Sequence, residues 1–293
     1  MRIQSNGVFI EVDVQGPADG EPLLLVMGLG MQLVAWPDEL VADLVARGFR
    51  VIRFDNRDAG LSEGFERLGP PQMLSAMLRF TLRMPVTAPY QLRDMANDAV
   101  GVLDALGIVQ AHVCGASMGG MIAQHMAMHH PDRVKSLTLV MTTSGARHLP
   151  QPSWKLRQAM LARPRSPDVA EVVAHLEGLL HTIGSPGYRP DPQRQRQRLE
   201  ASVNRAWRPQ GTGRQLLAIV ADGDRSAALA AIRQPTRVIH GVDDPLVPAA
   251  AANDLQRKIV GATLDLVPGM GHDLPLALLP RLAAGIALVA GQA

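Results

Sequence analysis

Short runs of apolar and β-branched residues alternate with segments of helical periodicity, and this alternation restricts the possible folds more than any other feature. Val8–Val14 alternates apolar and polar residues, as a half-exposed edge strand does. The other runs are continuously apolar, which is typical of strands buried on both faces of a parallel sheet. They are Leu23–Met27, Arg50–Phe54, Ala111–Cys114, Ser136–Met141, Thr236–His240 and Thr263–Val267.

Helices are predicted between several of these strands. Pro37–Arg47, Gln91–Leu106 and Met118–His130 place apolar residues at helical spacing, and a glycine or a proline follows each of them. Successive parallel strands need such crossover helices. We therefore predict an α/β fold with a doubly wound, mostly parallel sheet.

The alternation is interrupted twice, and the interruptions define the predicted domains. Residues 143–232 show helical patterns without strands, so we predict an inserted helical cap there and a core formed by residues 1–142 and 233–293. Residues 64–88 are too long for a structureless loop in a compact domain and are predicted as an additional lid segment. Large apolar residues of this segment either pack structurally or line a substrate pocket; the candidates are Met73, Met77, Phe80 and Leu82.

The sequence GASMG at residues 115–119 is the strongest chemical signal in the chain. It lies between a predicted strand and a predicted helix, the context in which G-x-S-x-G forms a nucleophile elbow. The sharp turn needs small flanking residues, and the helix that follows directs its N–H groups and positive dipole end at any oxyanion. We therefore predict Ser117 as a catalytic nucleophile.

A serine hydroxyl is a weak nucleophile unless an adjacent base takes its proton. His272 follows the last predicted strand in a Gly-Met-Gly-His sequence, where a loop can reach over the sheet, and it is the predicted base. His240 ends a strand and is predicted to be a core histidine. The base needs a carboxylate to fix its tautomer, and either Asp243 or Asp244 could supply it.

Composition excludes several other classes of protein. Hydrophobic residues make up 47% of the 293 residues, which is typical of a globular chain. The single cysteine, Cys114, excludes an intrachain disulfide and a multi-cysteine metal site. An aromatic content of 3% and a net charge of +2 argue against a nucleic-acid partner. The arginine-rich stretch from Arg189 to Arg214 is predicted to be a solvated helix face.

The location of the protein is predicted from two expected absences. The N-terminal residues lack the apolar region of a secretory signal, and no apolar run reaches the roughly 18 residues of a membrane span. We expect a cytoplasmic protein.

Five motifs together resemble the α/β-hydrolase family over nearly the whole chain. They are LLLVMGLG, VIRFDNRDAGLSE, GASMGG, HGVDDPLVP and PGMGH. The chain order Ser117, Asp244, His272 is the order of the triad in that family. The resemblance implies Asp244 rather than Asp243, because the family's carboxylate precedes the proline of G-x-x-D-P-x-V-P. Within the family, the chain looks most like the aclacinomycin methylesterase group of carboxylic-ester hydrolases.

The resemblance also implies an oxyanion hole formed by backbone N–H groups. Carried over to this chain, the donors are Met118, after the nucleophile, and Leu29, in the loop after an early strand. The family commonly begins this loop with His-Gly. Here the sequence is Met27-Gly28, so the histidine that usually orders the loop is missing. The turn at residues 55–62 resembles a family motif with a structural role.

These features predict a serine hydrolase that cleaves carboxylic esters through a Ser-His-Asp triad and an acyl-enzyme, without metal or cofactor. Other chemistries on the same triad remain open: cofactor-free haloperoxidase (perhydrolase) activity, acyl transfer and C–C bond hydrolysis. A non-catalytic binding protein is disfavoured because all three triad residues are present in order. The expected partner is a small-molecule ester, and the chain could be a monomer or a dimer.

Overall fold

Eight strands form a single sheet in the computed structural model, which describes residues 1–293. In chain order they are β1 (Arg2–Ser5), β2 (Val8–Gln15), β3 (Glu21–Val26), β4 (Phe49–Phe54), β5 (Ala111–Ala116), β6 (Val134–Val140), β7 (Thr236–Gly241) and β8 (Thr263–Val267). The order across the sheet is β1-β2-β4-β3-β5-β6-β7-β8. Strands β3 to β8 are mutually parallel, and β1 and β2 run antiparallel to their neighbours. The predicted mostly parallel sheet is confirmed.

Eleven α-helices accompany the sheet. They are α1 (Asp38–Ala46), α2 (Met73–Thr81), α3 (Leu92–Ala105), α4 (Met118–His129), α5 (Trp154–Leu161), α6 (Val169–Ile183), α7 (Pro192–Arg205), α8 (Pro209–Asp222), α9 (Ser226–Leu229), α10 (Ala250–Lys258) and α11 (Leu279–Ala290). Helices α3, α4 and α10 bury apolar residues on one face of the sheet, and α1 and α11 do so on the other. The sheet is therefore covered on both faces, as its continuous apolar strands require.

The two interruptions predicted from the sequence both contain helices. Residues 64–88 include α2, and five helices, α5 to α9, lie between β6 and β7. We call α5 to α9 the inserted helices; that they form a separate cap domain stays a prediction. None of the helices combines the length and apolar character that crossing a membrane requires.

Candidate active site

Ser117 lies on the turn that joins β5 to α4, as the elbow pattern predicts. Its backbone adopts φ 54° and ψ −118°, a conformation that L-residues rarely occupy. The turn is tight enough that a side chain on Gly119 would place its Cβ 2.0 Å from the Val26 carbonyl oxygen. This strained turn follows the carboxyl end of a central strand. It therefore places the serine side chain where the carboxyl ends of the parallel strands meet.

The structure brings His272 and Asp244 into a hydrogen-bonded chain with Ser117. His272 Nε2 lies 3.0 Å from Ser117 Oγ, and His272 Nδ1 lies 2.7 Å from Asp244 Oδ2. An ionised carboxylate only accepts hydrogen bonds, so Nδ1 carries the proton and Nε2 is free to accept from the serine hydroxyl. Both residues are buried, with 8% of His272 and 4% of Asp244 exposed.

The two adjacent aspartates have different partners. The second oxygen of Asp244, Oδ1, accepts from the backbone N–H groups of Leu246 and Val247 at 2.9 and 2.8 Å. The Asp243 carboxylate instead accepts from the Gly269 N–H at 2.8 Å. Only Asp244 contacts the histidine, so the geometry agrees with the choice that the family resemblance implies.

His240 is a further histidine next to Asp244. Its Nε2 donates to the Val247 carbonyl at 2.7 Å and lies 3.5 Å from Asp244 Oδ2. The ring is fully buried, and its Nδ1 has no partner. Burial lowers the pKa of His240, because an imidazolium would lose its hydration there, so a neutral ring sits beside the carboxylate.

The loop after β3 packs directly on the nucleophile. A Cβ added to Gly28 would lie 3.2 Å from the Ser117 Cβ, so nothing separates the loop from the serine. The N–H of Leu29 has no acceptor within the chain, whereas the N–H of Gly30 donates to Gln215 Oε1 at 2.8 Å. Met118 is the first residue of α4 and has no intrahelical acceptor for its own N–H. Both N–H groups that the resemblance implies therefore remain available.

Two side chains that the sequence analysis missed order this loop in place of the absent histidine. Asn56 Nδ2 donates to the Met27 carbonyl at 2.9 Å. Gln215, a fully buried residue of α8, accepts from the Gly30 N–H and donates to the Arg57 carbonyl at 2.7 Å. An inserted helix is thus hydrogen-bonded to the loop that holds Leu29.

The loop that carries His272 is held by the last residue of α6 and the segment that follows it. The His272 N–H donates to the Ile183 carbonyl at 2.7 Å, and the Gly271 N–H donates to Ser185 Oγ at 2.8 Å. The Ser185 hydroxyl in turn donates to the Asp273 carboxylate, whose pKa is raised by burial. The inserted helices therefore fix both loops that approach Ser117.

Residues 55–60, after β4, form a buried electrostatic link between the sheet and the inserted helices. Arg214 of α8 pairs with Asp58 through two hydrogen bonds of 2.8 and 2.7 Å, and both side chains are almost fully buried. Burial alone would raise the pKa of Asp58, but hydrogen bonds from Arg214, the Phe65 N–H and the Tyr90 hydroxyl hold it below its ordinary value. Arg205 of α7 pairs similarly with Asp55 at 2.8 Å.

The four apolar candidates of the lid segment lie on or just after α2. Met73 is half-buried, whereas Met77, Phe80 and Leu82 are 48%, 46% and 59% exposed. These three side chains face outward rather than packing inside the protein. Their role as a pocket wall stays a prediction.

Known proteins similar to this chain share its fold. Residues 21–276 match the model of the alpha/beta hydrolase fold family. The chain belongs to the α/β-hydrolase family. The family predicted from the motifs is confirmed, and the buried Ser-His-Asp chain lies where the motifs predict it within that fold.

Similar proteins include a methylesterase, a putative carbamate hydrolase and a hydrolase of known structure. Rhodomycin D methylesterase DauP of Streptomyces sp. (strain C5) is 32% identical, over 92% of this chain and 90% of the relative. The putative carbamate hydrolase RutD of Variovorax paradoxus (strain S110) is 30% identical, over 90% and 89%. The crystal structure of a hydrolase from Pseudomonas aeruginosa PA01 superposes with a TM-score of 0.72 at 27% identity, covering 100% of this chain and 98% of that one.

Proposed function

We propose that the protein is a serine carboxylesterase. The observation that carries the proposal is the continuous hydrogen-bonded chain from Ser117 Oγ through His272 to Asp244 at the end of strand β5. Methylesterase relatives at about a third identity favour an ester over other acyl compounds as the substrate. A small-molecule ester fits this reading, and the reaction needs no metal or cofactor.

In the first step Ser117 Oγ attacks the ester carbonyl carbon while His272 Nε2 takes the hydroxyl proton. Asp244 holds the imidazole in the tautomer that can accept this proton and stabilises the imidazolium that results. Collapse of the tetrahedral intermediate expels the alcohol, which takes the proton from His272. A water molecule, deprotonated by the same histidine, then attacks the acyl-enzyme and releases the carboxylic acid and free Ser117.

We assign stabilisation of the negative charge that develops on the carbonyl oxygen to the N–H groups of Leu29 and Met118. The dipole of α4 adds positive potential at the same point, since Met118 is the first residue of that helix. Donors that are fixed before the reaction stabilise a transition state without reorganisation. The hydrogen bond from Gly30 to Gln215 supports this role, because it fixes the peptide next to Leu29.

We propose further that the inserted helices cap the substrate site and exclude water from it. Their hydrogen bonds to the loops of Leu29 and His272 support this proposal, because the inserted helices would hold both loops in position while they cover the site. Enclosed, mostly apolar sites are typical of enzymes that bind small organic substrates.

Replacement of the nucleophile tests the proposal. Ser117→Ala should retain its far-ultraviolet circular dichroism and lose hydrolysis of p-nitrophenyl esters by a factor on the order of 10⁴, as other triad removals do. A fluorophosphonate probe should label the wild type and leave the variant unlabelled. A variant that keeps more than about a tenth of the rate would remove Ser117 from the mechanism.

A further inference from the structure

Residues 67–84 and 147–165 are two segments rich in exposed apolar side chains, which together we call the basic apolar face. Of the nineteen large apolar side chains exposed on the whole protein, nine lie in these two segments. Leu74 is 85% exposed, Leu78 61% and Trp154 59%. Single exposed apolar residues are ordinary, but a cluster of this size marks an interaction surface.

The same two segments carry only positive charge. They contain eight basic residues and no aspartate or glutamate, in a chain whose total net charge is only +2. All eight are exposed. They are Arg67, Arg79, Arg83, Arg147, Lys155, Arg157, Arg163 and Arg165.

None of these eight cations has a carboxylate partner. Among the other 21 basic residues, fifteen form ion pairs. Pairing is therefore the rule on this protein, and the basic apolar face is the exception. Unpaired cations around exposed apolar groups point to an anionic partner that is missing from the isolated chain.

The two segments meet at Arg147 and Phe80. The Arg147 guanidinium lies over the Phe80 ring, 5.7 Å from its centroid. Helix α2 packs on α8, with Ala76 buried and Leu74 and Leu78 turned outward. The helix that carries these exposed apolar side chains therefore packs on an inserted helix with its opposite face.

Charge and chemistry together select the occupant. A second copy of the chain would bring eight more like charges against the first eight, which opposes self-association. A nucleic acid would satisfy the cations but would gain little from Leu74, Leu78 or Met84. A bilayer with anionic headgroups satisfies both sets, because arginines meet phosphate groups while leucine and tryptophan enter the headgroup boundary.

We propose that the basic apolar face docks the protein on an anionic lipid surface. The contact is peripheral: α2 and α5 lie in the interface, and no helix crosses the bilayer. This inference goes beyond the esterase proposal and does not depend on it, since none of the residues involved belongs to the Ser-His-Asp chain.

Vesicle co-sedimentation of the full chain tests the proposal. The wild type should bind vesicles in which about a third of the phosphatidylcholine is replaced by phosphatidylglycerol, and bind pure phosphatidylcholine much more weakly. Binding should fall as salt is raised, because exposed charges are screened. The Ser117→Ala variant should bind as the wild type does, which separates this test from that of the esterase.

Two pairs of variants locate the contact. Leu74→Ser with Leu78→Ser should abolish binding, whereas Val109→Ser with Val260→Ser should leave it unchanged. Val109 and Val260 are 77% and 66% exposed, a matched loss of exposed apolar surface elsewhere. Arg163→Gln with Arg165→Gln should weaken binding about 25-fold, at about fivefold for each cation near the membrane surface. Arg2→Gln with Arg233→Gln, the same charge change outside the face, should not.

Three results would overturn the proposal. The first is no binding of the wild type to the anionic vesicles. The second is equal loss of binding in the variants of the face and in their controls. The third is a concentration-dependent dimer, detected by analytical ultracentrifugation without lipid, that the Leu74→Ser and Leu78→Ser pair dissolves; that result would assign the face to a second copy of the chain.

Discussion

The side chain of Gln215, on an inserted helix, accepts a hydrogen bond from the backbone N–H of Gly30, 2.8 Å away and 185 residues earlier in the chain. Gly30 has φ +67° and follows Leu29, a proposed oxyanion donor. The same side chain donates to the Arg57 carbonyl, so one buried amide connects the loop after β3 to the turn after β4. The orientation of the Leu29 N–H therefore depends on a residue that contacts no reacting atom.

Gln215→Met should lower kcat for ester hydrolysis about tenfold and change KM little. The side chain keeps its volume but loses the acceptor, so the Leu29 N–H is less well aimed at the oxyanion, where one donor is worth about 10²–10³ in rate. Steady-state kinetics on a p-nitrophenyl ester measure the two effects separately. Gln124→Met is the matched control: it removes the amide of another fully buried glutamine, bound to Arg225 and Thr143, and should leave kcat unchanged. Equal kcat in both variants would remove the positioning role.

Asp244→Asn should lower turnover by about 10⁴, while Asp243→Asn should retain most of it. The first change removes the carboxylate that accepts from His272 Nδ1 and favours the wrong tautomer of the imidazole. The second weakens only a loop contact with the Gly269 N–H. Turnover of the two purified variants on one ester decides the matter, and the reverse ranking would exclude Asp244 from the triad.

The sequence predicts the sheet and, together with the family resemblance, the three residues of the hydrogen-bonded Ser-His-Asp chain, because their signals are local. Seven of the eight strands lie within two residues of their predicted bounds, since continuous apolar runs report burial directly. Strand β1 was missed because its four residues, RIQS, contain one large apolar side chain. Ser117, Asp244 and His272 each stand in a short motif next to a strand, and parallel strands bring their carboxyl ends to one edge.

The supporting side chains could not be predicted, because their partners are distant in sequence. Gln215 lies in an ordinary helical pattern, and nothing near it in the sequence indicates Gly30. The arginine-rich stretch was predicted to be a solvated face, which holds for Arg194 but is wrong for Arg214, only 1% exposed against Asp58. Periodicity shows which face of a helix is apolar, but it does not identify a buried ion pair.

Arg214→Met should reduce the free energy of unfolding by about 3–5 kcal/mol, because it leaves the Asp58 carboxylate buried without its cation. Urea denaturation measures the change. Arg47→Met supplies the comparison: Arg47 pairs with Asp43 on the surface of α1, and its loss should cost about 0.5 kcal/mol or less. Similar values for the two variants would show that the link from α8 to the turn after β4 does not stabilise the fold.

His240→Gln should make the stability of the protein less sensitive to acid. Burial lowers the pKa of His240 below its ordinary value of 6.5, so the unfolded chain takes up this proton at a higher pH than the folded one. The free energy of unfolding therefore falls as pH drops below 6.5, by at most about 1.4 kcal/mol per pH unit from this group. Glutamine removes the titration while its amide nitrogen can still donate to the Val247 carbonyl.

Urea denaturation at a series of pH values tests this prediction. The free energy of unfolding should decline less steeply with falling pH for His240→Gln than for the wild type. For the exposed His181→Gln the decline should be unchanged. Identical pH dependence in all three proteins would show that His240 does not contribute to the acid sensitivity of the fold.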